Sequence, residues 1–419
     1  MRFGHAMMPR VGLDAGLDAG FGAALDGVAR LPAGRSADTP ALRREDARRE
    51  PALHPDPGAG ALPVAPMQAP PAVTAALDAT GGASVLAPPA AEQRTLITVV
   101  VPTYRRPLLL DRCLGALLDQ DCDPDCYEIV VCDDGPDDAT RATVEARAAE
   151  RAHCGPRIRY VPVTATQGPA GGRNAGWRAG TGDIVAFTDD DTLPSRQWLT
   201  EGRRALARGA AAATGRVSVP LDDPSRPTDF ERDTQGLESA EFVTANCFVT
   251  RQMLERLGGF DERFTSAWRE DSDLQFRILE AGGEIVRAEH ALVLHPVRPA
   301  RWGVSISQQK KSQYDALLYK LHRGRFRESI RRHAPWDYYF IVACALVAAG
   351  AALLGELPVA AGAALIWLAM TARFTLRRLR GAALTPSHIA EMAWTSALIP
   401  PLSIYWRLVG AWRFKVLFL

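Results

Sequence analysis

Three consecutive carboxylates, Asp189, Asp190 and Asp191, follow the apolar run DIVAFT, and such a cluster repels itself unless a cation or a set of backbone donors offsets its charge. A divalent ion is the economical source of that charge. Mg²⁺ and Mn²⁺ prefer oxygen ligands and are commonly held by one or two carboxylates while substrate phosphates complete the shell. The cluster therefore points to a metal and a diphosphate, although Asp191 and Thr192 would also serve to cap a following helix. His295, after the apolar ALVL, is a further candidate for metal or diphosphate, with a structural role at a strand end as the alternative.

Two other apolar runs end in polar groups. VVVPTY closes on Pro102, Thr103 and Tyr104, and EIVVCDDG closes on Asp133 and Asp134. Ligands of open α/β sheets bind outside the carboxyl ends of the strands, so these groups and the Asp189–Asp191 cluster are expected on one rim. Asp133 is placed to accept a hydrogen bond from a nucleobase or ribose and Tyr104 to pack on the base, or else Asp-Asp-Gly simply forms a turn. GPAGGRNAG offers glycines for close backbone approach and Arg173 for a phosphate. It lacks the GxGxxG spacing after a first strand, which disfavours a nicotinamide dehydrogenase. Glu270 and Asp271 open a helix whose apolar positions Leu274, Ile278 and Leu279 share a face. These acids either complement the helix dipole or supply the general base needed to activate a hydroxyl.

The elements that must position these groups begin abruptly at Thr95. TLITVVV is a β-branched run bounded by Pro102, as expected of a strand buried on both faces of a parallel sheet. Helical periodicity in LLLDRCLGALLDQ, a second run YEIVVC, a helix near 137–152 and a strand RIRYVPV repeat the β-α-β pattern. DIVAFT is a fourth strand and AAATGRVSV a further one. Past Pro220 the signals mix: a strand at EFVTANCFV, the acidic helix start, and extended pieces near EIVRA and ALVLH. The sheet is predicted to be doubly wound in its first half and less regular in its second.

Composition bounds the rest. The 49 basic and 48 acidic residues leave a net charge of +1, which argues against nucleic acid as a partner. Seven scattered cysteines read as reduced thiols facing a cytosol rather than as a disulfide framework. Residues 1–93, rich in Ala, Gly, Pro, Arg and Asp, read as a disordered low-complexity extension. After a basic linker over 323–337, residues 338–372 carry Glu356 as their one charged residue, with a turn at Gly355 and Pro358. That is a helical hairpin with arms of about 16–17 residues, or roughly 25 Å, near the lower limit for crossing a bilayer. Arginines on both sides, including Arg331, Arg332, Arg377 and Arg378, place both ends in the cytosol. Residues 373–419 mix tryptophan, arginine and the pair Pro400-Pro401, which suits an interfacial or re-entrant segment.

From Thr95 to Pro296, seven segments in order resemble the inverting glycosyltransferase family 2: VVVPTYRR, EIVVCDDG, GGRNAG, DIVAFTDDDTLP, TANCFVTR, LGGFDERF and WREDSDL. The resemblance implies the GT-A fold, a Rossmann-like mixed α/β sheet with flanking helices, over residues 94–322, with the membrane hairpin appended. It implies nucleotide contacts from Pro102, Thr103, Tyr104, Asp133, Asp134, Arg173 and Asp190. It further implies metal and diphosphate ligands Asp189 and Asp191 with His295, a base Asp271, and an acceptor or sugar side at Asn246, Trp268 and Glu270. The implied cofactor is Mg²⁺ or Mn²⁺. The implied partners are a UDP-, GDP- or dTDP-sugar and a lipid-linked or glycan acceptor, at an inner membrane with the catalytic domain in the cytoplasm. Arg105 stands where the family often has Asn, and Pro136 where Ser is common. The QxxRW motif of processive synthases is absent, so single transfers are expected. A sugar-phosphate nucleotidyltransferase or a non-catalytic nucleotide-binding scaffold are the alternatives.

Overall fold

The computed structural model describes residues 96–418, so the expectation for residues 1–93 lies outside them. Its centre is an eight-stranded sheet of order β3-β2-β1-β4-β7-β6-β8-β5. Strands β1 (Ile97–Thr103), β2 (Tyr127–Asp133), β3 (Arg157–Pro162) and β4 (Ile184–Phe187) pair in parallel. β1, β2 and β4 are apolar and buried on both faces because helices cover both sides. Helices α1 (Pro107–Leu118) and α2 (Asp138–Glu150) contribute Leu110, Leu114, Leu117 and Val144 to the core under Val99, Val101, Ile129 and Val131. On the other face, α3 (Pro169–Ala179) sets Ala170 and Trp177 against Val100, Val130 and Cys132.

The second half is irregular for an identifiable reason. β5 (Leu193–Pro194) is a two-residue edge, and α4 (Trp198–Leu206) leads to β6 (Ala212–Ser218). α5 (Asp229–Gln235) follows, and β7 (Cys247–Thr250) runs antiparallel between β4 and β6. The strand expected over the whole of EFVTANCFV is thus limited to its last part. Thr250 then caps α6 (Arg251–Leu257), accepting from Met253 N at 3.3 Å. Beyond α7 (Glu270–Glu280), the two extended pieces expected near EIVRA and ALVLH are one strand, β8 (Ile285–Leu294). β8 pairs parallel with β6 across a register shift at Gly215/Arg216.

The remaining helices are α8 (Val304–Gln308), α9 (Gln313–Leu321), the turn α10 (Arg323–Arg325), α11 (Trp336–Leu353), α12 (Leu357–Leu379) and α13 (Pro386–Arg413). The segment read as a linker is built into the protein, because its Phe326 is fully buried against Tyr319 and Phe418. α11 and α12 form the expected hairpin, with Gly355 at φ 80° in the turn, a left-handed conformation that glycine adopts without strain. Both are long and apolar enough to cross a membrane by length and composition. Ile341 and Ala351 are the buried residues of α11, and Thr371, Phe374 and Arg378 those of α12. Leu346, Leu353, Leu365 and Leu368 stand exposed, which is not the pattern of a core helix.

Pro400 and Pro401 do not interrupt the chain as expected, since α13 runs through them for 28 residues. A proline inside a helix costs about 3 kcal/mol. A buried stripe of His388, Met392, Ile399, Ser403, Arg407 and Gly410, spaced at three to seven residues, packs the helix well enough to offset it. α12 and α13 are fastened to the sheet domain by Arg378, 1% exposed, whose Nη2 meets Asp229 Oδ2 at 2.6 Å and whose Nη1 donates to Thr395 Oγ1 at 2.6 Å.

Candidate active site

The expected rim forms, because β1, β2 and β4 are parallel and in register, so that Thr103 stands beside Asp133 and the Asp189–Asp191 turn leaves β4 next to them. Its residues sort into two groups. Thr103, Asp133, Arg173 and Asp190 are buried scaffolding, whereas Pro102, Tyr104, Asp134 and Asp189 are partly accessible.

Asp133 is fully buried, and its carboxylate accepts from Gly135 N (3.1 Å), Asp137 N (3.2 Å) and Tyr160 Oη (2.8 Å). Of the two readings open in the sequence, turn formation is the one these bonds describe, and a direct nucleotide contact through this carboxylate is corrected accordingly. Asp134 accepts from Gly168 N at 2.8 Å, linking β2 to the start of α3. Gly168 has φ 112°, and a Cβ there would lie 3.0 Å from the Thr265 carbonyl oxygen, so both backbone conformation and space require glycine. The glycines of GPAGGRNAG serve packing within the chain: a Cβ on Gly171 would overlap Thr166 O at 1.9 Å, and one on Gly176 the Val100 side chain at 2.3 Å. Tyr104 lies over Gly135, where a Cβ would meet its ring at 2.5 Å, and Arg105 sits 5.3 Å from the ring centroid.

Asp190 is turned inward, accepting from Thr103 Oγ1 (2.8 Å) and pairing with Arg106 (3.2 Å). Burial pushes its carboxyl up to about 6, against the opposing pull of Arg106 and with further upward push from Asp191. Asp190 thereby clamps β4 to β1, while Asp189 stays partly accessible and Asp191 is buried beside Arg298. Ligand atoms of Asp189, Asp191 and His295 lie within 4.8 Å of one another, bringing together the three residues proposed as metal ligands. Asp189 and Asp191 supply the oxygen donors that Mg²⁺ or Mn²⁺ prefers and His295 places a nitrogen donor beside them, so the two carboxylates of this set fit the implied cofactor. Arg298 Nε is 3.0 Å from Asp191 Oδ2, a neighbour that no sequence signal singled out beyond its place three residues after His295.

Arg173 is 3% exposed and bridges two clusters. Its Nη2 donates to Asp189 Oδ1 at 2.7 Å and its Nη1 to Glu270 Oε1 at 3.1 Å. It is therefore an internal tie between the metal candidates and the start of α7, in place of the accessible phosphate ligand expected. Arg269, with φ 73°, turns the chain into α7 without a side-chain cap, and Glu270, Asp271 and Asp273 fill the first turn. Burial pushes Glu270 up to about 7, with Asp271 beside it adding to the rise and Arg173 opposing it. Burial likewise raises Asp271, whose Oδ1 accepts from Ser272 N at 2.7 Å. Glu270 is committed to Arg173, so Asp271, partly accessible, is the better placed of the two to take a proton from a ligand.

Two acceptor-side expectations change. Asn246 is fully buried, accepting from Trp198 Nε1 (2.8 Å) and donating to Arg216 O (2.9 Å) and Ala291 O (2.8 Å). It fastens β6 to β8 at their register shift and is not at the acceptor surface. Trp268 does line a cavity, but its ring face carries the Arg269 guanidinium at 4.4 Å, and its Nε1 donates to Asp315 at 3.0 Å.

The model of glycosyl transferase family group 2 matches residues 184–408, over half the chain, and that of glycosyl transferase family 2 matches residues 98–258. The chain belongs to glycosyltransferase family 2. Among curated relatives, validoxylamine A glucosyltransferase of Streptomyces hygroscopicus subsp. limoneus is 27% identical over 286 residues, 59% of this chain and 58% of the relative. The GalNAc(5)-diNAcBac-PP-undecaprenol beta-1,3-glucosyltransferase of Campylobacter jejuni is 33% identical over 96 residues, 23% of this chain and 29% of that protein. The chain thus spans less than two thirds of the length of these relatives. The solved mannosyltransferase of Pyrobaculum calidifontis, in complex with GDP-Man and Mn²⁺, superposes with a TM-score of 0.51 at 23% identity, covering 76% of this chain and 88% of that one. That likeness establishes the GT-A fold.

Proposed function

We propose that this protein transfers a single sugar per encounter from a nucleotide diphosphate sugar to a hydroxyl of a lipid-linked or cell-surface glycan precursor, with inversion at the anomeric carbon. The observation that carries the proposal is the Arg173 bridge. One buried guanidinium joins Asp189 of the metal cluster to Glu270, the neighbour of Asp271, so donor and base groups are held in a single ionic frame. Asp189, Asp191 and His295 would hold Mg²⁺ or Mn²⁺, which when bound supplies positive charge against the developing charge of the leaving diphosphate. Asp271 accepts the acceptor hydroxyl proton, Tyr104 packs on the base, and Asp134 and Pro102 border the nucleotide. Fixing both reactants on one rim turns a bimolecular encounter into an oriented displacement.

Helices α11 and α12 hold this rim at the inner face of a membrane, with the sheet domain in the cytoplasm. Their exposed leucines support that placement, and the Campylobacter relative's name, which includes a diphospho-undecaprenol, agrees with a lipid-linked acceptor. Nucleoside diphosphate release from UDP-, GDP- and dTDP-sugars by the full chain with membrane lipid extract, with and without Mn²⁺, tests the proposal. Metal-dependent release abolished by Asp191→Ala supports it. Pyrophosphate release from a nucleoside triphosphate and a sugar phosphate would show a nucleotidyltransferase instead, and metal-dependent nucleotide binding without release a non-catalytic scaffold.

A further inference from the structure

Each carboxylate of the metal cluster has an arginine beside it, and the two arginines are held very differently. Arg173 pairs with Asp189 at 2.7 Å, is 3% exposed and is bound at its other terminal nitrogen to Glu270, so it is fixed in the interior. Arg298 pairs with Asp191 through Nε at 3.0 Å, with 25% of its side chain exposed. That second contact is one of charge alone, because Asp191 Oδ2 is buried and accepts no hydrogen bond from the described residues.

The chain around Arg298 is stiff. His295 N donates to Ser218 O at 2.8 Å, and Pro296 and Pro299 bracket the arginine. Proline fixes its own φ and restricts the residue before it, so the side chain of Arg298 is the part that turns. It has room on two sides. Arg298 lines a cavity of about 120 Å³ together with Asp191 and Arg112, and also the larger cavity of about 630 Å³ beside Trp268 and Lys311. Burial lowers Lys311 to about 8, against the pull of Asp233 and Glu270 and with Arg298 adding to the fall, so positive charge is concentrated at this edge.

A divalent ion held by Asp189, Asp191 and His295 brings two further positive charges to the carboxylate that Arg298 touches. Cations drawn to one carboxylate repel each other, so ion and guanidinium compete for Asp191. Arg173 cannot yield in the same way, since leaving its place would strip Glu270 of a partner inside the protein.

We propose that Arg298 is the exchangeable counter-ion of Asp191: it balances the carboxylate until the divalent ion takes its place, and then turns to the diphosphate that arrives with the ion. The inference rests on the glycosyltransferase reading and assigns the coupling between metal and donor to one arginine. The ion alone must displace a paired guanidinium and binds weakly. The ion with a nucleoside diphosphate gives that guanidinium a new anion and binds tightly. Each ligand therefore strengthens the other by the same factor.

The test reads binding on the full chain in nanodiscs. Mn²⁺ affinity is taken from the electron paramagnetic resonance of the free ion, alone and with UDP, GDP or dTDP, corrected for ion taken up by free nucleotide. Wild type is expected to hold Mn²⁺ about tenfold or more tightly with the matching nucleoside diphosphate than without it. In Arg298→Met, Mn²⁺ alone should bind about threefold or more tightly than in wild type, and the strengthening by nucleotide should shrink to about threefold or less. Arg298→Lys, which keeps the charge, should restore most of that coupling. Weaker binding of Mn²⁺ alone in Arg298→Met would show that the arginine only orients Asp191 and would overturn the proposal, as would a coupling that the substitution leaves unchanged. If neither variant folds, phenylglyoxal modification of Arg298 in the wild-type chain, read by mass spectrometry, decides. Mn²⁺ should speed the modification and the nucleoside diphosphate slow it again, and a rate that Mn²⁺ leaves unchanged or lowers rejects the exchange. Absence of any Mn²⁺-dependent nucleotide binding by wild type would bring down the donor reading and this inference with it, whereas such binding with a coupling indifferent to Arg298→Met brings down this inference alone.

Discussion

Trp268 donates its indole N–H to Asp315 Oδ1 at 3.0 Å, tying the loop ahead of α7 to helix α9. The same oxygen takes Arg269 Nε at 2.8 Å, and Arg407 of α13 approaches Oδ2 at 4.0 Å. Arg269 is the left-handed residue from which Glu270 and Asp271 project. The position of the candidate base is thus set in part by helices on either side of the α11–α12 hairpin.

Asp315→Asn keeps the side chain's shape but removes the charge facing Arg269 and Arg407. Breaking a buried ion pair from one side costs about 3–5 kcal/mol. The expected result is a thermal midpoint lowered by several degrees and, in the protein that folds, a kcat for nucleoside diphosphate release reduced about tenfold or more. The donor KM should hold, because Asp189 and Asp191 are untouched. Melting curves with steady-state kinetics check this, and an unchanged kcat would detach Asp315 from the base.

The Glu270–Asp271 pair should control the acid side of the pH profile. Burial raises both carboxyls, Glu270 to about 7, and ionising one opposes ionising the other. A base must be unprotonated, so kcat/KM is expected to rise with pH through an apparent value that belongs to the pair and lies above the ordinary carboxylate range. Glu270→Gln removes one of the two ionisations, so the limb moves to lower pH in whatever activity remains. A profile flat between pH 5 and 8 would place the base elsewhere.

Asn246→Ala separates a structural asparagine from an acceptor-binding one. It leaves the Trp198 indole N–H and two carbonyls without their partner inside the core, and an unsatisfied buried group costs about 1–3 kcal/mol. Thermal stability should fall markedly while the acceptor KM of the folded fraction stays within about twofold. A raised acceptor KM at unchanged stability would return Asn246 to the acceptor surface.

The strands and the rim were legible because their signals are local. β-branched runs ending in Pro102, Asp133 and Thr188 mark buried parallel strands, and acids just beyond them mark the ligand edge. Which acids face outward was not legible. Asp133, Asp190 and Arg173 have the residue types of ligand contacts, yet partners up to 97 residues away in sequence turn them into scaffolding. Asn246 is hidden for the same reason, its three partners lying on α4, β6 and β8. Lys311, Asp315 and Arg407 escaped notice because each sits in a helical pattern that reads as an ordinary polar face. The continuous path of α13 through Pro400 and Pro401 depends on packing that no local propensity encodes.

His322 offers a pH test of stability outside the catalytic rim. Its Nε2 lies 3.0 Å from Asp273 and its Nδ1 3.0 Å from Glu280, joining the end of α9 to both ends of α7. Burial alone would lower the imidazole, but the hydrogen bonds and charges of the two carboxylates outweigh it, so the folded value stands above the ordinary histidine value. A raised folded value means that protonation favours folding. The contribution is complete below the unfolded value of about 6.5 and is lost as pH rises through the folded value. The thermal midpoint of wild type should therefore exceed that of His322→Gln most at pH 5.5, with the gap narrowing steadily toward pH 9. Differential scanning calorimetry across that range reads the gap directly, and a difference that grew with pH would mean that His322 is buried in its neutral form.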